Sequence, residues 1–181
     1  MAGVKVRNMP AYKDSLLTEA RLADASVYKL SNDKVEIEFT TRGAQPYSVK
    51  INDYKSYDST DLYLIKPEMS QMGISIFAGE NINTKDFVFQ VAEHNDSLIV
   101  MQLPFSEGGY IQQKYSLTKG SYMLKNELSF VNMDGVIPQN VSMLDIDWSV
   151  VIPRLEKGYK NEKQYSKLDY YFSGDKKPEE I

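Results

Sequence analysis

The sequence predicts an all-β fold, a sandwich or a barrel, and three observations support that prediction. Segments of strand length in which apolar and polar residues alternate recur from Val27 onward. Clusters of turn-forming residues separate these segments at intervals of about 8–12 residues, which is typical of such folds. Only residues 10–23 have helical spacing, and neither a repeat nor a linker divides the rest of the chain. We therefore expect one β domain, preceded by a short helix or linker.

The helical stretch places Leu16, Leu17 and Ala20 on one side of a helix. This apolar face is weak, so the stretch fits either a short docked helix or a frayed linker. We accordingly divide the chain into three parts. They are residues 1–26, a linker or short helix; residues 27–173, the β domain; and residues 174–181, a solvated tail.

The clearest strand pair lies within residues 31–58. The apolar residues of its two strands occupy alternate positions: Val35, Ile37 and Phe39 in the first strand, and Tyr47, Val49 and Ile51 in the second. Such alternation predicts strands with one buried face. Gly43 marks the turn between them, because glycine adopts a positive φ without strain. This stretch therefore predicts an opening hairpin.

Further strand patterns follow along the chain. They cover residues 62–65, 74–77, 87–91, 98–103, 111–117, 122–131, 144–152 and 168–172. The turn at Lys119 and Gly120 predicts a second hairpin, formed by residues 111–131. Within residues 144–152 the apolar residues again alternate, which predicts that Ile146 and Trp148 face the core. Residues 159–164 are mostly charged and are expected to form an exposed loop.

The composition excludes several classes of function. The chain has no cysteine, so disulfides, zinc–thiolate sites and thiol catalysis are excluded. Lys and Arg number 21 against 25 Asp and Glu, a net charge of −4, which gives no basic surface for nucleic acid or an anionic membrane. No apolar run approaches the ~20 residues that span a bilayer. No phosphate-binding loop or nucleophile elbow occurs, so we expect no enzyme, no catalytic residue, no metal and no cofactor.

Three passages of the sequence, taken together, carry a resemblance to a known family. The first is Asn-Asp-Lys-Val-Glu-Ile-Glu-Phe at residues 32–39, followed by Ser-Val-Lys-Ile-Asn-Asp-Tyr-Lys at residues 48–55. The second is Tyr-Ser-Leu-Thr-Lys-Gly-Ser-Tyr at residues 115–122, which precedes a long strand ending in asparagine. The third runs from Leu-Asp-Ile-Asp-Trp-Ser at residues 144–149 to Pro-Arg-Leu-Glu-Lys-Gly at residues 153–158. Together these passages, which span roughly residues 27–172, resemble the periplasmic domain of YidC-type membrane protein insertases, in the form found in Bacteroidetes.

The resemblance implies a fold and a biological setting. The family's periplasmic domain is a β-supersandwich, similar to galactose mutarotases and carbohydrate-binding domains. In the family the chain enters this domain from a first membrane segment, so the resemblance implies that residues 1–26 follow a removed membrane segment. The family's domain also continues past the part represented here, so we expect a truncated sandwich. The parent proteins insert and fold inner-membrane proteins, alone or with the Sec translocon, through a groove among membrane helices that this chain lacks. The resemblance therefore implies a non-catalytic periplasmic domain that offers edges or a groove to translocon subunits or substrate proteins.

Five residues are candidates for a ligand site or groove: Trp148, Asp145, Asp147, Tyr47 and Tyr54. Asp145 and Asp147 share one strand face about 6–7 Å apart, a separation that suits paired carboxylates or calcium ligands. The competing interpretation makes them the solvated side of a strand whose other side is core. Trp148 could stack against a sugar ring, but its alternation with Ile146 favours a core position.

The single histidine and the tyrosines give weaker indications. His94 lies in a turn-like segment and lacks the second histidine that mutarotases use, so an exposed turn residue is favoured. Tyrosines such as Tyr47 and Tyr54 either line a groove or pack half-buried in strands. The alternative to an insertase domain is a periplasmic carbohydrate-binding or carbohydrate-modifying domain. A purely structural spacer is the third possibility.

Overall fold

The computed structural model describes residues 12–138, 144–165, 167, 169–170, 177 and 179–180. The first element of the described residues is a two-turn helix, α1 (Ser15–Leu22), which starts after Asp14 because that side chain accepts a hydrogen bond from the Leu16 N–H. Leu17 is fully buried in the core of the domain. The predicted helix is therefore docked on the β domain.

The opening hairpin is confirmed and belongs to an antiparallel sheet of four strands. These are β1 (Val27–Ser31), β2 (Val35–Thr40), β3 (Gln45–Lys55) and β4 (Asp61–Ile65), paired in chain order. The turn between β2 and β3 contains Gly43 at φ +77° and Ala44 at φ 48°. A register shift opposite Glu38 and Phe39 interrupts the regular alternation of β3 near Tyr47.

A short hairpin comes next. It consists of β5 (Ser70–Phe77) and β6 (Asn81–Asn83), and a 3-10 turn, Thr84–Asp86, follows it. The predicted strand over residues 87–91 is displaced toward the C-terminus. Phe87 and Phe89 pair instead with the β2–β3 turn, through the bonds Gly43 N–H to Phe87 O and Phe89 N–H to Thr41 O. Both rings are buried.

The second four-stranded sheet contains β7 (Gln90–Asn95), β8 (Leu98–Pro104), β9 (Tyr110–Leu117) and β10 (Leu124–Val131), all antiparallel neighbours. The predicted hairpin of β9 and β10 is confirmed, with Leu124 opposite Leu117 and Val131 opposite Tyr110. The two four-stranded sheets share one core, in which the ring centroids of Phe39 and Tyr115 are 4.7 Å apart. The all-β, sandwich-like fold is thus confirmed.

The chain then returns to β5. Strand β11 (Asp145–Val150) pairs antiparallel with β5, so a third sheet has the order β11-β5-β6. A helix, α2 (Tyr159–Tyr165), replaces the loop predicted over residues 159–164. The last described strands, β12 (Asp169–Tyr170) and β13 (Glu179–Glu180), pair with each other. The remainder of the predicted strand 168–172 and most of the predicted tail lie outside the described residues.

Candidate functional site

The third sheet positions the predicted site residues, because β11 carries three of them. Its register with β5 places Ile146 opposite Ile74, Asp147 opposite Gly73 and Trp148 opposite Met72. Cross-strand partners project to the same face of a sheet. Ile146 and Trp148 therefore share the face of the buried Ile74, whereas Asp145 and Asp147 project to the opposite face.

The prediction that Ile146 and Trp148 face the core is wrong. Ile146 is 64% exposed and Trp148 is 61% exposed, although Ile74 on the neighbouring strand is only 3% exposed. The reason is the position of β11 at the edge of its sheet, where the two four-stranded sheets do not cover it. The indole Nε1–H of Trp148 donates to Ser70 Oγ at 3.0 Å, which holds the ring along β5. Ile146 and Trp148 therefore form an apolar strip on β11 that is exposed to solvent.

The opposite face of the third sheet is polar and acidic. Asn83 Nδ2 lies 3.0 Å from Ser75 Oγ and 3.4 Å from Asp147 Oδ2. Glycine at position 73 leaves room for the Asn83 side chain, because a Cβ at that position would lie 2.1 Å from the Asn83 Oδ1 atom. Neither Asp145 nor Asp147 forms an ion pair with any residue that the structure describes. Both carboxylates are solvent-exposed.

The two carboxylates line two different recesses. Asp145 lines one of about 440 Å³ together with Phe77, Asn81 and Asn83. Asp147 and Trp148 line another of about 220 Å³ with Gln71, Lys85 and Ser149. The sequence did not single out Phe77 or the two asparagines of β6. The signal in the sequence, one apolar residue between Asn81 and Asn83, is too short to predict a strand.

The tyrosines occupy a different part of the molecule. A recess of about 360 Å³ lies between the β3–β4 hairpin and the segment after β11, and Tyr57 and Tyr63 line it. The Arg154 guanidinium stacks 5.4 Å from the centroid of the Tyr57 ring. Tyr47 is half-buried and Tyr54 is exposed, and neither lines any of the recesses described above. The structure therefore does not bring Tyr47 or Tyr54 together with Trp148.

His94 lies on β7 rather than in a turn, and it is exposed. Its Nε2 atom is 2.9 Å from the Lys29 carbonyl oxygen, and its ring contacts Tyr28 edge-on. Among the described residues, no three side chains of His, Cys, Asp or Glu converge as metal ligands would. Over the same residues, neither helix has the length and apolar character needed to cross a bilayer.

The chain is similar to a known family and to known proteins. It matches the family described as YidC periplasmic domain over residues 27–177. The protein named membrane protein insertase YidC in Porphyromonas gingivalis is 32% identical over 162 residues, 88% of this chain and 26% of that protein. Its namesake in Bacteroides fragilis is 27% identical over 162 residues, 89% of this chain and 26% of that protein.

A third relative extends the same comparison. The protein of the same name in Phocaeicola vulgatus is 32% identical over 143 residues, 78% of this chain and 23% of that protein. The chain thus spans about a quarter of the length of the curated relatives that it matches. No solved structure matches it.

Proposed function

Since the chain belongs to the YidC periplasmic domain family of membrane protein insertases, we propose that it is a non-catalytic protein-binding domain. In this proposal the parent protein lies in the bacterial inner membrane and this domain faces the periplasm. The domain binds translocon subunits, such as those of the Sec system, or substrate proteins while a membrane protein is being inserted.

The observation that carries the proposal is the open apolar strip on β11. Ile146 and Trp148 are both more than half exposed on an edge strand, and large apolar side chains in that position favour contact with another polypeptide. The acidic face behind them adds charge that a protein partner can match. The sole histidine, His94, directs its Nε2 at a backbone carbonyl, which supports a structural role over an acid–base role.

Site-directed photocrosslinking in the longer protein tests this function. A photoreactive residue is placed in turn at Tyr54, Phe77, Ile146 and Lys119, and membrane protein insertion is run with and without irradiation. We expect irradiation-dependent adducts to translocon subunits or nascent membrane proteins from at least one position. The proposal is overturned if no position gives an adduct and if deletion of residues 27–177 also leaves insertion unchanged.

A carbohydrate-binding domain is the second candidate, and the recess beside Asp145 favours it. That recess combines the ring of Phe77, which is 46% exposed, with two asparagine side chains and a carboxylate. An aromatic ring beside amide and carboxylate oxygens suits a pyranose, whose C–H face stacks while its hydroxyls form hydrogen bonds. A glycan titration monitored by NMR tests it, with Phe77→Ala as the matched variant. Shifts that saturate in the native domain and vanish in the variant are expected, and identical spectra with and without glycan would rule it out.

A further inference from the structure

The outer edge of β11 has unpaired backbone groups as well as exposed side chains. The Val151 N–H donates to the Met69 carbonyl at 2.7 Å, so residue 151 directs its backbone toward β5. In an antiparallel strand, successive residues direct their N–H and C=O groups to alternate sides. The N–H and C=O groups of Ile146 and Trp148 therefore point away from β5, where no strand of the described chain pairs with them.

This edge differs from the other edges of the three larger sheets. No other described strand carries two exposed large apolar side chains, whereas β11 carries Ile146 and Trp148. Strand β10, also at a sheet edge, instead places Glu127 between Lys114 and Lys125 in ion pairs. Charges of this kind protect an edge against pairing with another chain. The side chains of β11 that lie beside the free backbone groups are apolar and unprotected.

We propose that the outer edge of β11 accepts an extended segment of a partner protein as an added strand, and that this segment alternates apolar and basic residues. The inference rests on the proposed function, because it names the surface and the partner chemistry of that protein-binding role. Apolar residues of the added strand lie beside Ile146 and Trp148. Basic residues lie on the other face, beside Asp145 and Asp147, which are spaced like alternate residues of a paired strand.

Charge complementarity selects this occupant over a second copy of the chain. An antiparallel pair of β11 strands that sets Ile146 opposite Trp148 also sets Asp147 opposite Asp147. The register that sets Ile146 opposite itself sets Asp145 opposite Asp147. Like charges directly opposite each other destabilise a sheet. In the register that sets Trp148 opposite itself the carboxylates do not meet, but they gain no basic partner either, because β11 carries no basic residue. The two carboxylates lack ion-pair partners among the described residues, so basic residues of a foreign strand would supply them.

Trp148 permits a direct test, because it is the only tryptophan of the chain. The probe is an acetylated, amidated peptide, Lys-Val-Lys-Val-Lys-Val-Lys, titrated into this chain while tryptophan emission is recorded. We expect a saturable blue shift as the added strand covers the indole. A peptide with Glu in place of Lys is expected to bind at least about tenfold more weakly at low salt, and added salt should narrow the difference. A Val-Lys peptide that is N-methylated at alternate residues should not bind.

Matched variants separate the backbone contribution from the side-chain contribution. Ile146→Pro removes an outward N–H without removing a bond to β5, whereas Ile146→Ala shortens the side chain and keeps that N–H. We expect the proline variant to lose binding and the alanine variant to lose only part of it. The double variant Asp145→Lys/Asp147→Lys should reverse the preference between the lysine and glutamate peptides. Circular dichroism checks that each variant is folded.

Three results would overturn the inference. One is the absence of a saturable change in emission, and another is equal affinity for the lysine and glutamate peptides. The third concerns the longer protein with the substitution Ile146→Cys and no partner protein added. If the introduced thiol does not react with maleimide, a segment of the same protein already covers the edge. Photocrosslinks from Tyr54 or Phe77, with none from Ile146, would leave the proposed function standing and remove only this inference.

Discussion

At the scale of single residues, the phenol of Tyr115 links the second four-stranded sheet to the β2–β3 turn. It is 2% exposed and donates a 2.8 Å hydrogen bond to the carbonyl oxygen of Ala44, and burial raises the pKa of this phenol above its ordinary value. We expect Tyr115→Phe to lower the free energy of unfolding by about 1–3 kcal/mol, because a buried carbonyl loses its partner. Urea denaturation measures the change.

Tyr110→Phe is the matched control for that experiment. Tyr110 lies on the same strand, is half-buried, and its hydroxyl makes no hydrogen bond with the described residues. We expect its removal to change the free energy of unfolding by less than about 0.5 kcal/mol. Equal losses in the two variants would mean that the Tyr115–Ala44 bond does not stabilise the fold.

The sequence predicts the burial of a side chain well where a second element covers that side chain and poorly where none does. Phe39 and Trp148 alternate with polar neighbours in the same way, yet Phe39 is fully buried and Trp148 is 61% exposed. Alternation establishes which side chains share a face of a strand. Whether another layer covers that face depends on tertiary packing, which the local pattern does not contain. The exposure of Ile146 and Trp148 on β11 therefore cannot be predicted from the local pattern.

At the scale of elements, the Asp14 carboxylate links the start of α1 to the β8–β9 loop through hydrogen bonds. Asp14 accepts the Leu16 N–H, the Ser106 N–H and the Ser106 hydroxyl at 2.9, 2.8 and 2.7 Å. We expect Asp14→Ala to lower the free energy of unfolding by about 1–3 kcal/mol, since both the helix cap and the loop contact are lost. Ser106→Ala removes one bond to the loop and keeps the cap, so thermal denaturation should show a smaller loss. An equal loss in both variants would assign the whole effect to the loop contact.

A pH-dependent contribution comes from strands β1, β2 and β3. Glu36 pairs with Lys29 at 3.2 Å and with Lys50 at 3.1 Å. Partial burial acts to raise the pKa of Glu36, but the hydrogen bonds and charges of Lys50 and Lys29 outweigh it and lower that pKa. A carboxyl with a lowered pKa in the folded state stabilises the fold above its ordinary pKa, and this stabilisation is lost as the pH falls through the folded-state value.

Glu36→Gln should therefore destabilise the domain at pH 7 by about 0.5–1 kcal/mol and have less effect near pH 3, where the native carboxyl becomes protonated. Unfolding free energies measured in urea at several pH values test this. Glu38→Gln on the same strand is the control, because Glu38 forms no ion pair with the described residues. A difference between native protein and Glu36→Gln that stays constant from pH 7 to pH 3 would contradict the assignment.

Long hairpins were predictable as elements, while short elements were not. The β2–β3 and β9–β10 pairs combine alternation with a clear turn signal, and both occur as predicted. Helix α2 lacks an apolar face, so its charged residues resembled a loop. Strand β6 is only three residues long, too short for a period to be recognised. The recess beside Asp145, which β6 helps to form, was missed for the same reason.

At the scale of the whole molecule, the three larger sheets differ in how they join the core. The two four-stranded sheets and β5 contribute buried side chains to one cluster, among them Phe39, Tyr115 and Ile74. Strand β11 contributes none, and its side chains range from half-buried to exposed. Its attachment therefore rests on its backbone pairing with β5 and on the side-chain hydrogen bonds that Trp148 and Asp147 form. Segments that bury little apolar surface open without global unfolding.

Because β11 buries no side chain in the core, we expect its amides to exchange with solvent faster than those of β10. The Asp145, Asp147 and Ser149 amides face β5, and we expect them to exchange at least about tenfold faster than the most protected amides of β10, a difference of about 1.4 kcal/mol in opening free energy. Strand β10 is the matched comparison because it too is an edge strand with a single neighbour, yet Leu128 and Phe130 pack against the core. Native-state exchange followed by NMR measures both sets. Equal protection of β11 and β10 would show that hydrogen bonds to β5 and β6 hold β11 as firmly as side-chain packing holds β10.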